Sequence, residues 1–113
     1  MSGDLNGDSK TGVFHFQAEF CKSLSDSKRL RIIHELRDGE KSVGELAQSL
    51  DLKQSNASQH LAILRKTGII MPRREQSTVY YRLVNPKIAE ACDLVREVIA
   101  EQIRSSQSLT SPV

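Results

Sequence analysis

The chain is 113 residues long and carries 16 Lys+Arg against 14 Asp+Glu, a net charge of +2, with two cysteines. That length holds one domain with a core of limited size. No apolar run approaches the ~20 residues of a membrane span and no charged-then-apolar export signal opens the chain. The expected partners therefore do not include a membrane. The expected compartment is the cytoplasm, where Cys21 and Cys92 stand as thiols rather than as a structural disulfide.

Residues 1–13 are rich in Gly, Ser, Asp, Asn and Lys and read as a disordered lead. From His15 to Leu24, Phe16, Phe20, Cys21 and Leu24 recur at helical spacing. Ser25 or Asp26 can cap a second helix reaching about Arg37, with Leu30, Ile33 and Leu36/Arg37 inward and Asp38-Gly39 as its stop. Ser42-Val43-Gly44-Glu45 fits a capping box that opens a third helix, with Val43, Leu46, Ala47 and Leu50 on its inner side. The turn Asp51-Leu52-Lys53 separates it from a fourth helix over about Gln54–Thr67, which buries Ala57, Leu61 and Leu64. Gly68 is placed to be its left-handed stop.

Two strands follow, Ile69–Arg74 and Thr78–Leu83. In the second, Val79, Tyr81 and Leu83 alternate with Thr78, Tyr80 and Arg82. Asn85-Pro86 starts a last helix to about Arg104, striped by Ile88, Ala91/Cys92, Val95, Ile99 and Ile103. Residues 105–113 read as a disordered tail, leaving 14–104 as the folded domain. The fold class expected is mostly α with a small β-hairpin: a winged helix-turn-helix of five helices in the order α-α-α-α-β-β-α.

Charge distribution says more than net charge. From Leu52 to Val84 the basic residues Lys53, Arg65, Lys66, Arg73, Arg74 and Arg82 face one acid, Glu75, a local excess of five. Such a patch is either a solvated surface or the footprint of a duplex binder. The fourth helix favours the second reading. Gln54, Ser55, Asn56, Ser58 and Gln59 crowd its start, and no charged residue stands between Gln54 and Leu64. Gln and Asn pair bidentately with adenine edges and Ser bonds to bases or phosphates, whereas an ordinary solvent-facing helix carries Glu and Lys at i,i+4. Arg73 and Arg74 precede the turn Glu75-Gln76-Ser77 and, on a strand, point to opposite faces. At most one lies flat on DNA while the other orients the turn or meets phosphate.

The apolar stripe of the last helix, joined by Phe14, Phe16 and Phe20, exceeds what so small an interior can bury. A two-fold dimer would cover it; completion of a monomer core is the alternative. His15, His34 and His60 show no metal-ligand spacing, and no nucleophile elbow, phosphate loop or catalytic carboxylate pair is present, so no metal, cofactor or catalytic residue is assigned.

Leu46-Ala47-Gln48-Ser49-Leu50 through Gln54-Ser55-Asn56-Ala57-Ser58-Gln59-His60-Leu61-Ala62-Ile63-Leu64-Arg65 resembles the ArsR/SmtB family of winged-helix repressors. Ser25–Ile33 looks like that family's second helix. Gly68-Ile69-Ile70, Arg73-Arg74-Glu75 and Val79–Leu83 look like its wing. The resemblance spans about Phe16 to Ile103. It implies a homodimer joined by the first and last helices that binds an inverted-repeat operator in double-stranded DNA and represses transcription. It carries base contacts onto Gln54, Ser55, Ser58 and Gln59, with Asn56 nearby, and wing contacts onto Arg73, Arg74 and Gln76. One departure is Gln76, where the family's wing usually turns at glycine.

Val43–Leu50 lacks Cys, His and Asp, and the last helix lacks His, unlike the metal-sensing members. The Gln54–Leu61 wording looks closest to the subgroup that includes reactive-sulfur and redox sensors. In those, one thiol lies on the second helix, where this chain has His34, and one on the last; here the thiols are Cys21 and Cys92. Both sit on the apolar faces assigned to the dimer interface. A sulfur bridge there, or a soft-metal thiolate with As(III) that borrows from the partner, would respace the recognition helices. Two buried small hydrophobes is the plainer alternative. A winged-helix protein–protein module is the rival function.

Overall fold

The computed structural model describes residues 9–109. Its helices are α1 (Ser9–Lys22), α2 (Ser27–Glu35), α3 (Val43–Leu50), α4 (Gln54–Lys66) and α5 (Lys87–Leu109), and its strands are β1 (Lys41–Ser42), β2 (Ile70–Glu75) and β3 (Thr78–Leu83). A 3-10 turn, Leu36–Asp38, extends α2. Two boundaries differ from the sequence reading. α1 already holds Ser9–Val13 and α5 runs through Ser105–Leu109, so both terminal helices are longer than expected; the remainder of the expected lead and tail lies outside the described residues.

Local chemistry accounts for the element ends. Asp26, rather than Ser25, caps α2: its Oδ1 accepts from the Lys28 and Arg29 N–H groups at 2.8 and 3.3 Å. The capping box of α3 is closed, with Ser42 Oγ accepting from Glu45 N–H (3.1 Å) and Glu45 Oε1 from Ser42 N–H (2.8 Å). Asp51 ends α3 in the left-handed region (φ 56°), and Leu52 N–H returns to Ala47 C=O at 2.9 Å. Gly68 does the same after α4 with φ 79°. Asn85 Oδ1 accepts from Lys87 N–H at 2.9 Å to open α5.

The core gathers Ile32, Ile33 and Leu36 with Leu46, Leu50, Leu61, Leu64, Ile69, Ile70, Leu83 and Ala89. Ala57 is fully buried and Ala47 nearly so, which lets α3 and α4 approach closely. The inner face of α2 is corrected in one respect. Leu30 is exposed, and Ile32 joins Ile33 and Leu36 inside instead, because α3, α4 and α5 all pack on that side.

The hairpin is part of a three-stranded antiparallel sheet in the order β1-β3-β2. β1 pairs Lys41 with Tyr81 and Ser42 with Tyr80, a strand too short to leave any period in the sequence. β2 pairs with β3 from Ile70↔Leu83 to Glu75↔Thr78, leaving Gln76 and Ser77 as the two-residue loop. Helix, turn, helix and then a wing is the resulting architecture.

Candidate nucleic-acid interface

The start of α4 is built to stay open. Lys53 holds the N-cap position and makes no side-chain capping bond, so among the described residues no side chain caps the first-turn N–H groups. Gln54, Ser55, Asn56, Ser58 and Gln59 are all exposed around that end. The opposite face is anchored by Ala57, Leu61 and Leu64 in the core. A rigid helix therefore presents an uncharged, hydrogen-bonding surface at its positive dipole end, where phosphate oxygens and base edges are the matching partners.

His60 differs from its neighbours because it faces the protein. Its Nδ1 accepts from Arg29 Nη1 at 3.2 Å, with Asp26 Oδ1 3.9 Å away. Arg29 Nε in turn donates to Ser23 C=O at 2.6 Å, and Thr67 Oγ1 donates to Ser23 Oγ at 3.1 Å. α4 is thereby tied to the α1–α2 junction at two places. Burial alone would raise the Asp26 carboxyl, but the Lys28 and Arg29 N–H groups and the Arg29 charge hold it below the ordinary carboxylate value. His34 has a similar structural use: its Nδ1 accepts from Arg37 Nη1 (3.3 Å) and Arg96 Nη2 (3.4 Å), and both arginines also bind Asp93.

The two wing arginines have different surroundings. Arg73 is held by two carboxylates: Nε donates to both Glu40 carboxylate oxygens at 3.1 and 3.0 Å, Nη2 to Glu40 Oε1 at 2.6 Å and Nη1 to Glu75 Oε1 at 2.9 Å. Its guanidinium also lies 4.9 Å over the Tyr80 ring. Arg74 is exposed and makes no hydrogen bond or ion pair among the described residues. Gln76 turns the hairpin with φ 58° while Ser77 keeps a negative φ, the φ signs of a type II′ turn usually given to glycine. Glu40 was not found by sequence reasoning. It lies outside the basic stretch and 33 residues from Arg73, and only the pairing of β1 with β3 brings it there.

A second feature lies between α1 and α5. Phe20, Cys21, Leu30, Ile88, Cys92 and Val95 line a cavity of about 710 Å³, which brings both thiols to one apolar space. Cys21 is exposed and Cys92 half-buried, and burial pushes the Cys92 thiol up; Asp93 and Cys21 add to that and Arg96 opposes it. Phe14 and Phe16 on α1, and Leu94, Val95, Val98, Ile99 and Ile103 on α5, remain exposed. No helix among the described residues is long and apolar enough to cross a membrane.

Comparison with known proteins adds the context. The sequence model of a family described as "Bacterial regulatory protein, arsR family" matches residues 26–71. The chain is 39% identical over 80 residues to the transcriptional activator HlyU of Vibrio cholerae, spanning 71% of this chain and 74% of that protein. It is 36% identical over 85 residues to the biofilm growth-associated repressor of Xylella fastidiosa, spanning 75% of each. Among solved structures, the homodimeric winged helix-turn-helix DNA-binding domain Mb0332 of Mycobacterium bovis superposes with a TM-score of 0.76 at 29% identity, covering 85% of this chain and 89% of that one.

Proposed function

The chain belongs to the ArsR family of bacterial regulatory proteins and is a DNA-binding transcriptional regulator, not an enzyme; from this we propose that it is a dimeric, thiol-responsive repressor. The observation that carries the reading is the open, uncharged start of α4, followed in the chain by a wing with a free Arg74. Gln54, Ser55, Asn56, Ser58 and Gln59 read the major groove of operator DNA in the cytoplasm, and Arg74 and Gln76 meet the flanking backbone, with Arg73 supporting the wing.

The exposed apolar residues of α1 and α5 join two copies, as the homodimeric Mb0332 domain encourages. A two-fold dimer presents its recognition helices to two half-sites, so the operator is an inverted repeat. The shared cavity of Cys21 and Cys92 is the effector element. A small disulfide or polysulfide oxidises the two thiols to a bridge, with both protons and the electron pair leaving on the reduced oxidant. The bridge changes how α1 and α5 pack and with them the spacing of the recognition helices.

Fluorescence anisotropy tests this with a duplex from the gene's own upstream region. Reduced protein should bind tightly, with an affinity that falls steeply with salt, and oxidation should release the DNA until a dithiol restores binding. Equal binding in both redox states would return the cysteines to a packing role. Salt-independent or absent DNA binding would instead favour a protein–protein module.

A further inference from the structure

We propose that Glu40 and Arg73 form a brace across the sheet that sets the pose of the wing, which makes Glu40 a positioning residue for DNA binding. The inference rests on the DNA-reading function proposed above. In the order β1-β3-β2, Arg73 stands on one edge strand and Glu40 immediately precedes the other. The Arg73 side chain crosses the central strand over Tyr80 and ends on the Glu40 carboxylate. All three nitrogens of the guanidinium are used, two of them on Glu40 and one on Glu75.

The place of the brace gives it a role. Glu40 is two residues before Ser42, the cap of α3, so the contact links the hairpin directly to the first helix of the helix-turn-helix. A wing held only by backbone pairing twists about its strands, and a transverse contact limits that motion. Its electrostatics point the same way. Glu40 and Glu75 compensate the Arg73 charge, and the Arg73 guanidinium holds the Glu40 carboxyl below the usual carboxylate range. Arg74 then remains the wing arginine available to phosphate.

The identity of the residue at 73 matters in a way that a phosphate contact does not require. A lysine is a good point-charge partner for phosphate, but it cannot reproduce a planar fork that bonds two carboxylates and stacks on a ring. The brace is solvent-facing, with the Arg73 and Glu40 side chains 47% and 31% exposed, so its loss leaves the fold intact.

The test compares R73K, R73A, E40Q, the E40Q/R73A double variant and R74A. Each is titrated against a duplex that the wild-type protein selects from a random-sequence pool and against a scrambled duplex, over a range of KCl. R73K, R73A and E40Q should all weaken the selected duplex about tenfold, the size of a coupling between contacting groups, and the double variant should be no weaker than either single change. Their salt slopes should stay at the wild-type value, whereas R74A should lower the slope by about one. Two results overturn the brace: tighter binding by E40Q with a steeper slope, which makes Glu40 a competitor for a phosphate-binding Arg73, or wild-type affinity in R73K. If the wild type selects no sequence, the DNA-reading premise fails instead. Amide exchange of the β1–β3 ladder without DNA then decides the brace: faster in E40Q supports it, unchanged refutes it.

Discussion

Gln59 and His60 are neighbours on α4 with opposite assignments. Gln59 is exposed at the polar end of the helix, while His60 is turned inward against Arg29. Replacing Gln59 by Ala should weaken operator binding by roughly 1–3 kcal/mol and relax preference at the base it meets. Competition with single-base operator variants measures this, and unchanged discrimination would remove Gln59 from the reading set. The two thiols should also separate chemically. Burial raises the Cys92 pKa, so at pH 7 less of it is thiolate, the reactive form. Cys21 is exposed. Alkylation followed by peptide mass spectrometry of reduced protein should label Cys21 first. Faster labelling of Cys92 would mean that its cavity activates the thiol. The polar residues of α4 were legible in the sequence because uncharged side chains without i,i+4 ion pairs are unusual on a solvent face. The inward turn of His60 was not, because Arg29 lies 31 residues away and only packing of α2 on α4 brings them together.

The wing shows what an element's own sequence can and cannot say. Alternation in Thr78–Leu83 announces a half-buried strand, and Leu83 is buried as expected. Tyr80 departs from the alternation and is half-buried as well, because Arg73 lies over its ring. The loop residue Gln76 occupies a left-handed φ that costs a non-glycine residue about 1–2 kcal/mol. Gln76→Gly should therefore stabilise the protein by roughly 0.5–1 kcal/mol after the entropy of glycine in the unfolded chain is counted, raising the thermal midpoint. If the midpoint falls, the Gln76 side chain makes a contact worth more than its strain. The capping box of α3 was readable from four residues because both bonds are local. β1 was not, since two residues contain no period and pair with β3 some 40 positions on.

At the scale of the whole molecule, the main surplus is apolar surface on the terminal helices. Phe14 is 65% exposed and Ile99 47%, and neither belongs to the buried core around Ile32 and Leu64. Burying that face in a two-fold dimer is the simplest way to keep it from water, at about 25 cal/mol per Å² removed. Ile99→Glu puts a charge into the proposed interface and should shift sedimentation from dimer to monomer while far-UV circular dichroism stays the same. A wild type that sediments as a monomer at all concentrations would refute the interface. Release of the dimer should also cost operator affinity, because one recognition helix meets only one half-site.

Hydrophobic period, caps and stops are encoded within a few residues of one another, and from them follow the five helices, the hairpin, the α3–α4 turn and the polar start of α4. Interactions across tens of residues are a different matter. The Arg73–Glu40 contact, the Arg29–His60 tie and the cavity shared by Cys21 and Cys92 each depend on how separate elements pack. A side chain's partner is set by three-dimensional approach, and no local pattern in the chain records it.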